Sequence, residues 1–528
     1  MALRTFLHWL SMEFFSITWI TLPVALLISV VIYRKLSSKS KLPPGPRALP
    51  IIGNLHMLSG LPYRSLYNLA HIYGPIMTVY FGSLPTIIIS SPQMAKLVLK
   101  THDPIFANRP LLEDGNDTLY ENPSTIAFAP SGPYWKFMRK TFILELLSPK
   151  RLESFRSLRA QEASAMIRSI LQTTATNANC GSPSAVDISR EVSIFTNNII
   201  CRMTFGKKFC EDELGGKVYK DILEERFALA SAFSYGDFVP LLGWLDLQGV
   251  RRRQGEIHKL VYGFLERVVE EHFEGRKKNS GLQHGDFVDL LISLCEDDST
   301  EVKITRQHIK FVIFDILAGG TDTAGNTLEW AMSELLRNPS AMKRAQEELD
   351  SVVGRNRIVK ESDLSHLQYL QAVVKETLRL YPPVPLLLQR ESMECCTIAG
   401  YELPQKTRVF VNAWAIGRDP TAWEDANEFK PERFLERKID VKGHDLEVIP
   451  FGSGRRGCPG INLGLTTVQL GLAQLLHCFD WYLPGGITPH NLDMSEAFLI
   501  VMPRAVHLQA IPAPRLALDL YEPKAECL

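Results

Sequence analysis

The stretch Phe451-Gly452-Ser453-Gly454-Arg455-Arg456-Gly457-Cys458-Pro459-Gly460 decides the fold, because its glycines surround a single cysteine. Glycine lets a backbone turn tightly and approach a flat ligand closely. Backbone N–H groups of such a turn, with the N-terminus of the helix predicted from Ile461, would stabilise a negative sulfur on Cys458. Arg456 supplies a cation for an anionic group, and Phe451 is expected to shield the sulfur. A turn carrying a buried, inert cysteine is the alternative interpretation.

The fixed positions of this loop are Phe-x-x-Gly-x-Arg-x-Cys-x-Gly, a pattern far more restrictive than one cysteine. The segment resembles the haem-binding loop of the cytochrome P450 family. That resemblance implies a mainly α fold with a small β part, and haem b as the cofactor. It also implies that the thiolate of Cys458 is the axial ligand of the haem iron, with Arg456 facing a propionate.

A second motif, Glu376-Thr377-Leu378-Arg379, lies near the end of a predicted helix. A spacing of three places Glu376 and Arg379 on one helix face, and a surface ion pair is the ordinary interpretation. In the resembled family this pair forms a buried triad behind the haem with an arginine of a later segment, here Pro431-Glu432-Arg433-Phe434. By that resemblance Glu376, Arg379 and Arg433 are structural residues.

Trp135 and Arg139 lie one helical turn apart and resemble the family's Trp-x-x-x-Arg pair. In the family that pair contacts the haem propionates. An ordinary packed pair is the alternative for a tryptophan and an arginine at this spacing.

Residues 318–323 (Ala-Gly-Gly-Thr-Asp-Thr) interrupt a predicted apolar helix over 309–336. Each glycine costs a helix about 1 kcal/mol relative to alanine, so a compensating role is expected. One role is a kink that opens a groove for dioxygen, where Asp322 and Thr323 relay protons. The alternative is close helix packing, with Asp322 at the surface. The family often has a second hydroxyl residue after this threonine, where this chain has Ala324.

The composition limits the class of protein. The 58 Lys and Arg residues equal the 58 Asp and Glu residues, which argues against nucleic acid as a partner. Nine cysteines, an odd number without a Cys-x-x-Cys pair, indicate a reducing compartment rather than a disulfide framework.

Residues 14–33 are uncharged and mostly apolar, about the length that crosses a bilayer. Because the run is long and ends in a basic cluster, a membrane anchor is favoured over a cleaved secretory signal. The positive-inside rule keeps the remaining chain in the cytoplasm. We therefore predict a single-pass protein of the endoplasmic reticulum membrane. The cluster consists of four cations (Arg34, Lys35, Lys39, Lys41).

We predict three parts of the chain: an anchor with a basic stop over 1–41, a catalytic domain over 42–512, and a tail over 513–528. A Pro-rich hinge opens the domain, and residues 76–89 read as a β-hairpin. Loops and short strands are expected over 381–460. Periodicity predicts five long helices (152–172, 254–274, 305–337, 341–352, 364–380).

The resemblance implies a monooxygenase that places one oxygen atom of O2 in an organic substrate. Electrons would come from the NADPH-dependent cytochrome P450 reductase of the same membrane. Its docking face is expected at four cations (Lys136, Lys140, Lys150, Arg455). An ordinary set of solvated charges is the alternative interpretation of these side chains.

The substrate pocket should be apolar, and by resemblance its walls include residues near 106–128, 311–314, 384–388 and 498–501. A phenolic or flavonoid-type aromatic metabolite is the first expectation, with a terpenoid or fatty acid as the alternative. Two other functions stay open. One is a reductase-independent haem-thiolate isomerase or dehydratase, and the other is a haem sensor or carrier without enzymatic activity.

Overall fold

The computed structural model describes residues 42–110, 125–178, 185–208, 225, 249–278, 286–297, 302–497 and 499–521. Helices dominate these residues, as the periodicity predicts. The α-helices are α1 (Pro62–Tyr73), α2 (Pro92–Lys96), α3 (Pro133–Thr141), α4 (Pro149–Ser154), α5 (Arg156–Ala178), α6 (Ile188–Phe205), α7 (Val250–Lys278), α8 (Phe287–Glu296), α9 (Arg306–Gly320), α10 (Asp322–Arg337), α11 (Pro339–Val352), α12 (Gln368–Leu380), α13 (Ala413–Ile416), α14 (Arg433–Glu436) and α15 (Ile461–Cys478).

The strands form small sheets. Four strands pair in the order β1-β2-β7-β4, three in the order β3-β9-β8, and two as β5-β6. β1 and β2 are antiparallel with Ile76 opposite Ile89, so the predicted hairpin is confirmed. Their β-branched residues alternate between the core and a facing helix, which favours strand over helix. The strands are β1 (Ile76–Phe81), β2 (Leu84–Ile89), β3 (Val186–Asp187), β4 (Arg390–Glu391), β5 (Cys396–Ile398), β6 (Tyr401–Leu403), β7 (Arg408–Val411), β8 (Phe479–Tyr482) and β9 (Gln509–Pro514).

A helical core carries the site. α10 packs against α6, α12 and α15, and α9 packs against α6 and α7. Most of α10 is buried, including Leu328, Trp330 and Leu335. The prediction of a mainly α fold with a small β part is confirmed.

Three predicted helices are divided or shortened in the structure. The helix over 305–337 is divided at Thr321 into α9 and α10. The helix over 364–380 begins only at Gln368, because a 3-10 turn over Glu361–His366 ends at Leu367, whose ψ of 74° is not helical. The stretch predicted from residue 152 is divided at Phe155 between α4 and α5.

Across the described ranges, no helix combines the length and apolar character needed to cross a membrane. The anchor predicted over 14–33 lies outside those ranges, as do residues 522–528 of the predicted tail.

Candidate active site

The cysteine loop folds as a tight turn that directs backbone groups toward one sulfur. Gly454–Arg456 form a 3-10 turn, and the amide of Cys458 donates to the carbonyl of Phe451 at 2.8 Å. The Gly460 amide donates to the Sγ atom of Cys458 at 3.3 Å, directly before α15 begins. The sulfur therefore lies at the positive end of that helix. The Phe451 ring packs toward α15, near Gly464.

Gly454 shows why the loop needs glycine. Its φ of +71° is in the left-handed region, and an added Cβ would lie 2.3 Å from the carbonyl oxygen of Leu99. The same Cβ would lie 2.4 Å from Oδ1 of Asp103. Any side chain here would push the loop away from the segment that contains Leu99 and Asp103. The close contact between the loop and this segment therefore requires glycine.

The surroundings of Cys458 suit a metal-bound sulfur. Burial raises the pKa of the thiol, while the Gly460 amide and the charge of Arg139 oppose that shift. Arg139 reaches from α3, and its Nη2 donates to the carbonyl of Gly457 at 2.6 Å. Metal binding displaces a thiol proton. Among the described residues Cys458 belongs to no group of three metal-ligating side chains. A single thiolate suits a haem iron and not a closed zinc site, which takes four protein ligands.

Trp135 and Arg456 provide a test of whether haem fits. The guanidinium carbon of Arg456 lies 3.8 Å from the ring centroid of Trp135. Arg456 donates to the carbonyls of Ala107 at 2.7 Å and Ala129 at 2.5 Å. The Nε1 atom of Trp135 is buried and has no hydrogen-bond partner. An unsatisfied buried donor is costly, and a propionate of haem b is an acceptor that satisfies it.

Arg390 on β4 is a site residue that no sequence motif singled out. Its Nη2 donates to the carbonyl of Ser453 at 2.8 Å, and its Nη1 pairs with Asp103 at 3.1 Å. An arginine that ends the apolar run 384–388 is the signal that could have revealed it. Burial, together with the charges of Arg390 and Arg139, lowers the pKa of Arg456 to about 9. Two buried arginines (Arg390 and Arg456) and the half-buried Arg139 lie near one carboxylate, that of Asp103, so the two propionates of haem b would balance the cluster.

The break between α9 and α10 uses its two glycines differently. A Cβ added at Gly319 would meet nothing within 4 Å, whereas one at Gly320 would lie 2.6 Å from Cδ1 of Ile200 on α6. Thr321, between the helices, has a φ of −85° and a ψ of −69°. Gly319 therefore borders open space, whereas Gly320 packs closely against α6; a groove for dioxygen at this break stays a prediction.

Asp322 and Thr323 begin α10 at this break. The hydroxyl of Thr323 donates to the carbonyl of Gly319 at 2.8 Å, which places it beside the open space. Asp322 is only 9% exposed, so the alternative of a surface position for this residue is wrong. Asp322 is therefore buried at the start of α10, whereas the hydroxyl of Thr323 lies at the open side of the break.

Glu376, Arg379 and Arg433 form one buried ion-pair group. Arg379 donates to both oxygens of Glu376 at 2.7 Å, and Arg433 donates to Oε1 at 3.0 Å. Arg379 also donates to the carbonyls of Gly417 and Ala426, both at 2.6 Å. The group thus ties α12 to the chain that leads to the cysteine loop, and a surface ion pair is excluded by its burial.

Asp315 on α9 is a second residue that no motif singled out. Its carboxylate accepts hydrogen bonds from the amides of Ile126 and Ala127. Burial raises its pKa to about 7, and the two amide donors oppose that shift. A single acid within the apolar run 311–318 was the available signal.

A cavity of about 480 Å³ opens on the sulfur side of the loop. Cys458 lies in its wall together with Asp103. Its other charged or titratable wall residues are basic (Lys100, Arg139, Lys442, His444).

Comparison with known proteins gives a consistent assignment. The cytochrome P450 family model matches residues 43–508. A cytochrome P450 of Panax ginseng is 45% identical over 95% of this chain and 97% of its own length. The 3,9-dihydroxypterocarpan 6A-monooxygenase of Glycine max is 40% identical, over 95% of this chain and 98% of its own length.

The desmethyl-deoxy-podophyllotoxin synthase of Sinopodophyllum hexandrum is 42% identical over 95% of this chain and 97% of its own length. A zebrafish cytochrome P450 solved with abiraterone superposes with a TM-score of 0.72 at 25% identity, covering 86% of this chain and 99% of that one. This chain therefore belongs to the cytochrome P450 family of haem-thiolate monooxygenases.

Proposed function

We propose that this protein is a membrane-bound monooxygenase that hydroxylates a small apolar or aromatic metabolite with O2. Its electrons come from the NADPH-dependent cytochrome P450 reductase. One observation carries the proposal: Sγ of Cys458 lies at the start of α15, 3.3 Å from the Gly460 amide, next to a buried arginine cluster and an unsatisfied Trp135 donor.

Four residues would hold haem b. Cys458 would ligate the iron, while Arg456, Arg390 and the Nε1 donor of Trp135 would bind the propionates. With a thiolate ligand, bound haem supplies the electron push that favours cleavage of the O–O bond. The protein's own contribution is to keep the sulfur, the donors and the substrate in fixed relative positions.

The break between α9 and α10 would deliver protons. Thr323 Oγ1 sits at the open side of the helix, and the carbonyl of Gly319 orients it at 2.8 Å. Asp322, one residue before, is buried and is the acid from which a proton can pass to that hydroxyl. Peroxide would be lost instead of product if this relay were interrupted.

The substrate face favours an apolar ligand. Phe311, Phe314 and Ile126 belong to the main apolar cluster, and Val501 is also buried. The printed names of two relatives, one for a dihydroxypterocarpan and one for a podophyllotoxin compound, support a polycyclic phenolic substrate. A terpenoid or fatty acid is the second candidate.

The surface around the sulfur-side cavity suits an acidic electron donor. Lys136, Lys140, Lys150 and Arg455 are exposed, and Lys100 and Lys442 line the sulfur-side cavity. Opposite charges raise association rates between proteins. The double variant Lys136→Glu/Lys140→Glu should slow reduction by the reductase at least about tenfold at low salt. Lys343→Glu on α11 serves as the control. Equal rates of reduction in the double variant and in the control would contradict the proposed docking face.

We also propose that residues 14–33 anchor the protein in the endoplasmic reticulum membrane, with the catalytic domain in the cytoplasm. The uncharged run and the four cations after it support the proposal. Membrane fractionation of the full chain and of a chain starting at residue 42 tests it. Release of the shorter chain is expected to be greater, and equal distribution would contradict the anchor.

Co-expression with a plant reductase, followed by product profiling over a metabolite panel, tests the proposed function. Hydroxylated phenolic products that require NADPH, the reductase and O2 are expected. Product formation from organic peroxides, without the reductase or O2, would instead identify an isomerase or dehydratase. Haem binding without any turnover would identify a sensor or carrier.

A further inference from the structure

A short segment, residues 125–129, is held through its carbonyls by buried arginines and through its amides by a half-buried carboxylate. On one side, arginines donate to its carbonyls: Arg109 to Ala127 at 2.9 Å, and Arg456 to Ala129 at 2.5 Å and to Ile126 at 3.4 Å. On the other side, the carboxylate of Asp315 accepts from the amides of Ile126 and Ala127. The peptide unit between Ile126 and Ala127 therefore lies between a half-buried anion and buried cations.

The amides of the segment are the hydrogen-bond partners of Asp315. No cation pairs with this carboxylate in the described part of the chain, and the two amides are what offsets its burial. A buried carboxylate with such donors is costly to leave unpaired. Because N–H donation to an anion polarises a peptide, its carbonyl becomes a better acceptor for a cation on the far side. The hydrogen bonds from the arginines to the carbonyls and those from the amides to Asp315 therefore strengthen each other.

Arg456 depends on the same segment. Its guanidinium lies over Trp135, and two of its three hydrogen bonds go to carbonyls of residues 125–129. If the segment shifts, this buried arginine loses acceptors and its position over Trp135 is no longer fixed. Asp315 on α9 is therefore connected to Arg456 through the backbone groups of residues 125–129.

We propose that Asp315 is a positioning residue that acts through residues 125–129 to hold Arg456 in place for the haem propionate. It connects α9 to the cysteine loop, although it belongs neither to the motif over 318–323 nor to the cysteine loop. The proposal goes beyond the proposed function because it holds for any substrate. A direct contact between Asp315 and substrate is not expected, since the loop amides already occupy the carboxylate.

Hydrogen exchange and haem transfer on the full, haem-loaded chain test this role. In Asp315→Asn, exchange of the Ile126 and Ala127 amides should rise about tenfold, because each loses a charged acceptor. Transfer of haem to apomyoglobin should accelerate about fivefold, through the weakened hold on Arg456. Asp519→Asn removes an exposed carboxylate elsewhere and should leave both rates unchanged.

A double-mutant cycle separates positioning from a merely structural effect. If Asp315 acts through Arg456, the effect of Asp315→Asn on haem transfer should be at least about threefold smaller in an Arg456→Lys background. Additive effects would overturn the proposal. Unchanged exchange and haem transfer, with weakened substrate binding alone, would overturn it in favour of a substrate contact.

If Asp315→Asn cannot be recovered with haem, Asp315→Glu replaces it in the same cycle. The glutamate keeps the charge but displaces it by one methylene. Exchange of the Ile126 and Ala127 amides should therefore rise about threefold, which is less than the rise expected in the asparagine variant. Wild-type exchange together with wild-type haem transfer in this variant would contradict the role of Asp315.

Discussion

The guanidinium carbon of Arg456 stands 3.8 Å from the ring centroid of Trp135, while the indole Nε1 of that tryptophan is buried without a partner. The two residues come from distant parts of the chain, one from α3 and one from the cysteine loop. A cation over an indole face is attracted by the ring. The contact brings an unsatisfied indole donor and a buried cation together, and an anion bound beside them would interact with both.

Removing only the indole N–H should loosen the haem. Trp135→Phe keeps an aromatic ring under Arg456 but deletes the unsatisfied donor. Haem transfer to apomyoglobin should become about tenfold faster, the effect of losing one hydrogen bond to a charged acceptor. Trp481→Phe is the matched control, because the Nε1 of Trp481 donates to the Leu475 carbonyl instead. Equal rates in both variants would mean that Trp135 does not contact a propionate.

Removing the hydroxyl at the helix break should uncouple electron use from product. In Thr323→Ala, NADPH consumption should continue while most reducing equivalents leave as hydrogen peroxide, since the proton relay is lost. Thr327→Ala, one turn further along α10, removes a hydroxyl that donates to the Thr323 carbonyl at 2.8 Å. The control should keep its product yield. Full product yield in Thr323→Ala would favour the isomerase or dehydratase.

Breaking the buried triad should lower the stability of the protein without a direct effect on the catalytic reaction. Glu376→Gln leaves Arg379 and Arg433 buried without a counter-charge, which should lower the free energy of unfolding by about 3–5 kcal/mol. Urea unfolding checks this value. Glu347→Gln, in an exposed pair with Lys343, should have little effect. A variant of normal stability but without activity would assign Glu376 to the reaction instead.

The sequence predicts those parts of the site that are local in the chain. The turn around Cys458 and the break around Thr323 depend on glycine spacing, so their motifs can be recognised within ten residues. The hairpin ending at Ile89 follows from alternating β-branched residues. Even the pairing of Glu376 with Arg379 follows from helical periodicity.

Contacts between distant segments could not be predicted in this way. Arg390 lies on a two-residue strand, and its role depends on Ser453 and Asp103, which the fold brings near it. Asp315 receives its partners from a loop that is 189 residues earlier in the chain. A lone charged residue in an apolar run is visible in the sequence, but its partner is decided by packing. The start of α12 at Gln368 follows a 3-10 turn that the helical periodicity did not reveal.

His272 should make stability depend on pH. Burial opposes its charge, but hydrogen bonds to Asp286 and to the Val268 carbonyl, with the charge of Asp289, outweigh burial and raise its pKa. The stabilisation is therefore complete below the unfolded pKa of about 6.5 and is lost as the pH rises through the raised folded pKa. Urea unfolding from about pH 6 to pH 9 should show this loss in the wild type and not in His272→Gln.

A matched control separates this pair from other histidines. His444 pairs with Asp440 at the surface, where its side chain is 79% exposed and solvent screens the charge. His444→Gln should therefore follow the wild-type pH profile. Parallel profiles for the wild type and His272→Gln would contradict the link between α7 and α8 through Asp286.

The absorbance of the reduced, carbon monoxide-treated protein tests the iron–sulfur bond at Cys458 most directly. We expect the long-wavelength Soret band of a thiolate-ligated haem in the wild type, and its loss in Cys458→Ser even when haem is retained. A wild-type protein without that band, or a serine variant that keeps it, would contradict the assignment of Cys458 as the axial ligand.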